Sequence, residues 1–373
     1  MIQRGGFRDL LTRLCIGLAA IPLFTAAISG SSAQERPDRA DSAPAPAAAN
    51  SNTLAKLPAL LAARYPAIRS LVLARRGCVA FEYYKTGVDA QTLSPVRSVT
   101  KSVLSILVGI ALKRGYLRLD EQLSELLPEV SNPAIDPKVR DITVRDLLTM
   151  TSGFGLSQFG AKAAAPPSEM WQWTLNRRVQ YTPGTHFNYD DDSVNLLSVA
   201  LARAVRQNLK TFAEQELFHP LGIANFNWMA DGNGYSIAAD GLSLTARDMV
   251  KIGLLYLERG RWKDQQIVSS DYVADSTAKH NDGGPPSKAG AAYGYLWWLK
   301  QTGTGLDAFF ASGKDSQIIY VVPELDLVVA MASGSDIAGG SVHFVNDVVL
   351  PAASMTESPP TCVGSLVQGK PVQ

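Results

Sequence analysis

Residues 98–115 read Ser98-Val99-Thr100-Lys101 followed by SVLSILVGIALKRG, a hydroxyl and an amine three positions apart at the head of a long apolar run. Three residues are nearly one helical turn, so both side chains share a face when Ser98 opens the helix. The first-turn N–H groups and the positive end of the helix dipole then surround the hydroxyl. That arrangement suits a serine nucleophile with a lysine base. The chain supplies its own control, since Ser276-Thr277-Ala278-Lys279 repeats the pattern near the end of a short polar segment. Only the first tetrad leads into about three apolar turns, closed by Gly115, that can mount a nucleophile rigidly.

The strand signals lie at the two ends of the chain. A helix is expected over residues 53–64, followed by SLVLARRGCVAFEYYK at 70–85, which reads as a hairpin turning at Arg76-Gly77. From residue 98 to about 280 the pattern is helical, with start signals at Thr143…Asp146, Ser168…Trp171 and Thr245…Asp248. Strands return as GYLWWLK, AFFASG, SQIIYVV and DLVVAMA, before a last helix from about Ser341 to Ala352. Strands at both ends with helices between imply an α+β fold, in which an antiparallel sheet is flanked by helices and carries an inserted, mostly helical lobe. The cleft between sheet and lobe is the expected site.

With 46% hydrophobic and 18% charged residues among 373, the chain is ordinary globular material. Arg4, Arg8 and Arg13 precede an apolar stretch of 17 residues, LCIGLAAIPLFTAAISG, and the small residues Ser31-Ser32-Ala33. Residues 1–33 therefore read as a secretory signal, too short and too rich in Gly and Pro for a stable membrane span. Residues 34–52, QERPDRADSAPAPAAANSN, read as a flexible linker, 53–353 as the folded domain and 354–373 as a tail. Loss of residues 1–33 moves the formal charge from +1 to −1, which gives no reason to expect nucleic acid. Cys78, at the hairpin, and Cys362, in the tail, then remain; one bridge is open to them, and a four-cysteine zinc site is not.

A serine needs a base. No G-x-S-x-G elbow occurs, and His186, His219, His280 and His343 lack zinc-hydrolase spacing, though any one of them can still complete a Ser-His pair in space. The ordered segments SVTK at 98–101, LLTMTSGF at 147–154, PGTHFNYDDDSVNLLSVAL at 183–201, GLSLTARDM at 241–249, YGYLWWL at 293–299 and FFASGKDSQIIYVVPELDLVV at 309–329 carry a more specific signal. Together they resemble the serine hydrolases related to class C β-lactamases, D-alanyl-D-alanine carboxypeptidases, family esterases and 6-aminohexanoate-dimer hydrolase. The resemblance implies a β-lactamase/transpeptidase-like fold and an acyl-enzyme mechanism without metal or organic cofactor.

At matching positions it implies Ser98 as nucleophile, Lys101 as the amine that takes or relays its proton, and Tyr189 as a partner in proton transfer. The backbone N–H groups of Ser98 and Lys314 would form the oxyanion hole. Ala311, Ser312 and Gly313 would line the cleft beside Asp191. By position in the chain, Trp171 and Trp173, in the loop-rich segment before Tyr189, and Trp297 and Trp298, on a strand two before the ASG strand, are further lining candidates. A desolvated lysine near a helix N-terminus has its ammonium form disfavoured, which makes it a base near neutrality. Two positions depart from the pattern. Asp191 replaces an amide that donates to substrate, and Ala311 stands where relatives carry a cation or imidazole. An exported, periplasmic or secreted amidase or esterase acting on a small-molecule amide or ester is therefore expected ahead of a β-lactamase or carboxypeptidase. A non-catalytic cell-wall ligand-binding protein is the alternative of another class.

Overall fold

The computed structural model describes residues 53–155, 170–284, 290–354 and 364–365, so the expected signal at 1–33 and linker at 34–52 lie outside the described residues. Helix α1 (Thr53–Arg64) buries Leu57 and Leu61, one turn apart, and leads into strands β1 (Ile68–Arg75) and β2 (Cys78–Tyr84). Arg76 and Gly77 join them at φ 52° and 74°, the paired left-handed geometry that matches strand twist in a two-residue hairpin.

Helix α2 (Val99–Lys113) follows, with every residue from Val99 to Ala111 buried. A helix covered all round is mostly apolar, and its one polar stripe, Lys101, Ser102 and Ser105, is buried with hydrogen-bond partners. At Gly109 a Cβ would come within 2.4 Å of the Tyr272 ring, so glycine is what lets the helix at Ser270–Ser276 pack this closely. The lobe contains helix α3 (Asp191–Ala204) and shorter helices at Val144–Leu148 and Met170–Leu175. Thr143 and Asp146 form the expected reciprocal cap. Ser168 falls outside the described residues. Thr245 likewise caps helix α4 (Ala246–Leu257), which lies on the sheet.

The closing strands are β3 (Ala292–Tyr293), β4 (Trp298–Gln301), β5 (Asp307–Gly313), β6 (Gln317–Val322) and β7 (Leu327–Ser333). With β8 (Gly364–Ser365) they complete an antiparallel sheet in the order β8-β2-β1-β7-β6-β5-β4-β3. Every residue of β6 and β7 is buried, because helices cover both faces at the sheet centre. The GYLWWLK segment departs from expectation. It is not one strand but a hairpin, in which Gly294 N–H donates to the Trp297 carbonyl and Leu296 sits at φ 58°. Within the expected tail, Gly364 and Ser365 pair with Val79 and Cys78 at the sheet edge. Cys78 is disulfide-bonded, and its expected partner Cys362 lies outside the described residues.

Candidate active site

Ser98 precedes α2 as its N-cap residue, at φ −64° and ψ −5°, but its side chain makes no capping bond. The local backbone is held instead by Thr100, whose Oγ1 donates to the Arg97 carbonyl at 2.6 Å and accepts from Leu242 N–H at 3.2 Å. The half-buried Ser98 hydroxyl is thereby left to Lys101, whose Nζ lies 2.9 Å from Ser98 Oγ.

Lys101 is 1% exposed and has two further acceptors, the Ala239 carbonyl at 2.7 Å and Asp191 Oδ1 at 2.7 Å. Three acceptors match the three N–H bonds of an ammonium. Ala239 is aimed by Asn195, whose Oδ1 accepts from Ala238 and Ala239 N–H at 3.0 and 3.1 Å. Burial works to lower the Lys101 pKa, yet Tyr189 and Asp191 together outweigh it and raise the pKa above the ordinary lysine value. This runs against the expectation of a lysine neutralised by desolvation: Tyr189 and the Asp191 carboxylate together favour its charged form. Asp191 is likewise no free carboxylate, although its side chain remains 51% exposed.

The Lys101 ammonium lies 5.0 Å from the centroid of the Tyr189 ring. Trp298 stacks on that ring at 5.7 Å. Behind them, Arg177 Nη1 bridges Asp190 Oδ2 at 2.8 Å and Asp192 Oδ2 at 2.9 Å, and Ser193 Oγ donates to Asp190 at 2.6 Å. Burial pushes the Asp190 carboxyl up, against the pull of Arg177. Of three consecutive aspartates, two are thus tied to one guanidinium, and the middle one reaches Lys101.

On the sheet side, a Cβ on Gly313 would fall 2.5 Å from the Val96 carbonyl and 3.1 Å from Ser98 N. This contact brings the Gly313–Lys314 peptide beside the Ser98 amide. Among the described residues, neither the Ser98 nor the Lys314 N–H donates to another group. Ser312 and Gly313 are half-buried at the open end of β5, and the Lys314 side chain is exposed. Ala311, at 1% exposure, offers nothing to a ligand.

The tryptophans divide. Trp171 is buried against Tyr235 with Arg203 over its ring at 4.9 Å, and Trp297 packs on Tyr256 and Phe309, so both belong to the core. Trp173 is half-buried on the same short helix as Trp171. The control tetrad also separates: Ser276 bonds the Val273 carbonyl and Tyr256 hydroxyl inside the core, while Lys279 pairs with Asp282 at the surface. The rings of His186 and His280 stack on Tyr181 and Tyr295, His219 faces Glu214, and none of the four histidines hydrogen-bonds Ser98. No group of three His, Cys, Asp or Glu that could hold a metal ion occurs among the described residues.

Residues 59–353 match the family described as Beta-lactamase. The chain belongs to the beta-lactamase family. It is 22% identical over 184 residues to a beta-lactamase of Yersinia enterocolitica, a match spanning 44% of this chain and 46% of that protein. With the 6-aminohexanoate-dimer hydrolase of Paenarthrobacter ureafaciens it shares 22% over 275 residues, 68% of this chain and 69% of the other. The solved structure of EstCE1, a hydrolase with promiscuous acyltransferase activity, superposes with a TM-score of 0.65 at 16% identity, covering 81% and 97% of the two chains. That last likeness is one of fold. Within this beta-lactamase-family framework, sequence reasoning missed Ala239, Asn195, Arg177 and the Arg97–Asp315 ion pair at 3.1 Å. The run of three aspartates was the one available signal, since acids so close must find cations when buried.

Proposed function

We propose that the protein is an acyl-enzyme serine hydrolase in which Ser98 is the nucleophile, acting on small esters or uncharged amides. The observation that carries this reading is the contact of Ser98 Oγ with a buried Lys101 that also meets Asp191 and Tyr189. As Ser98 Oγ bonds to the substrate carbonyl carbon, its proton passes to the neutral form of the Lys101 amine, which gives one of its own to the Tyr189 oxygen as Tyr189 releases its hydroxyl proton toward the leaving group. The carbonyl electron pair moves to oxygen, where the Ser98 and Lys314 N–H groups receive it. Collapse breaks the bond to the leaving alcohol or amine, which takes the proton back from Tyr189, and water releases the acyl group by the reverse path.

Amidase or esterase chemistry ranks above β-lactam hydrolysis because a ligand carboxylate meets the half-exposed Asp191 and finds no cation at Ala311. The relation to a 6-aminohexanoate-dimer hydrolase supports hydrolysis of amides outside the β-lactam class. Export to an oxidising compartment is part of the proposal, supported by the arginine-led apolar N-terminus and the Cys78 disulfide. The test is a fluorophosphonate label together with a screen of p-nitrophenyl esters, short amides and nitrocefin. Label on Ser98 and ester turnover are expected; absence of both overturns the reading, and efficient nitrocefin hydrolysis without ester activity replaces it with a β-lactamase.

A further inference from the structure

We propose that the Arg97–Asp315 ion pair is a positioning clasp that sets the spacing between the Ser98 and Lys314 amides, the two donors of the oxyanion hole. The inference rests on the serine-hydrolase reading above. Arg97 reaches Asp315 Oδ2 through Nε at 3.2 Å and Nη2 at 3.1 Å, across 218 positions of sequence. Each partner adjoins one amide, since Arg97 precedes Ser98 and Asp315 follows Lys314. Arg97, Asp315 and Ser316 all sit at positive φ, 53°, 62° and 60°, conformations that persist for such residues only where surrounding contacts over-determine them.

Each side is braced from behind. On the strand side, Gln317 Nε2 donates to the Asp315 carbonyl at 3.0 Å and to the Ser333 carbonyl at 2.7 Å, and Ser316 Oγ accepts from Ile337 N–H at 3.1 Å. On the helix side, Thr100 holds the Arg97 carbonyl. Between the halves, the Gly313 contact fixes how close they come. The ion pair limits how far they part. Oxyanion donors lose most of their effect when displaced by about 1 Å, so a contact that governs this gap governs transition-state stabilisation more than substrate binding.

The test uses the full chain and compares p-nitrophenyl acetate with its thionoester, whose sulfur is a poor hydrogen-bond acceptor and gains little from the hole. Arg97→Ala and Asp315→Ala are expected to lower kcat on the ester by about 10- to 100-fold with KM nearly unchanged, and to shrink the ester-to-thionoester ratio of kcat/KM accordingly. Arg97→Lys, and the reversal Arg97→Asp with Asp315→Arg, should recover part of both. A wild-type ratio in the alanine variants, or an equal fall on both substrates, would overturn the clasp while leaving the hydrolase reading intact. Failure of that reading is seen separately, as unlabelled Ser98 in the wild-type protein.

Discussion

Lys101 is where burial and charge oppose each other in this site, and Tyr189 and the Asp191 carboxylate together tip the balance toward the charged form. In Asp191→Asn one of the two raising influences is removed while burial and Tyr189 stay, so the Lys101 pKa falls and its neutral form becomes available at lower pH. The acidic limb of the kcat/KM profile should therefore move to lower pH in this variant, as a pH titration of ester hydrolysis will record; a shift to higher pH would contradict the assigned pairing. Ser98→Ala should abolish turnover. Ser276→Ala should keep it near wild type and lose only about 1 kcal/mol of stability, because Ser276 makes ordinary buried hydrogen bonds. Assays of both variants beside urea denaturation separate the two tetrads.

At the level of elements, the start of α3 is fixed by a charge cluster more than by a helix cap. Asp190 makes no capping bond with its side chain, and it and Asp192 close on Arg177 instead. Asp191, between them, is left facing Lys101. Arg177→Ala strands two buried carboxylates, a loss of about 3–5 kcal/mol. Asp190 is already pushed up by burial, so it would take up a proton on folding, and the loss should be larger at pH 8 than at pH 5. Urea titrations at the two pH values measure this. The helix, strand and hairpin signals were legible at this scale because caps and periodicity are local properties. GYLWWLK was misread because an apolar run does not reveal that Gly294 must turn where a Cβ would strike the Ser276 carbonyl at 2.2 Å.

Across the whole molecule, the sheet joins segments from both ends of the chain, with β1 beside β7 and β8 beside β2. Cys78, which is disulfide-bonded, sits on this outer edge. If Cys362 closes the loop, the chain-entropy model assigns it up to about 5 kcal/mol. Reduction with dithiothreitol, or Cys78→Ser, should lower Tm and speed proteolysis at the C-terminus, while activity at 25 °C persists because the bridge is remote from Ser98. An intact mass without the two-hydrogen deficit of a bridge in unreduced protein would count against the pairing with Cys362.

The sequence alone determined the buried helix after Ser98, the hairpin, the split sheet and the identity of Ser98, Lys101 and Tyr189 as candidates, because these rest on spacing along a helix or strand and on ordered motifs. Tertiary structure alone decided what each candidate meets. Lys101 is joined to Ala239 across 138 positions, and Arg97 to Asp315 across 218, distances over which no periodicity carries information. The same limit explains Trp171, whose composition suited a cleft and whose packing made it core. The direction in which the Lys101 pKa moves is likewise a tertiary property, since Tyr189 and the Asp191 carboxylate, 2.7 Å from Nζ, are what the fold sets against burial.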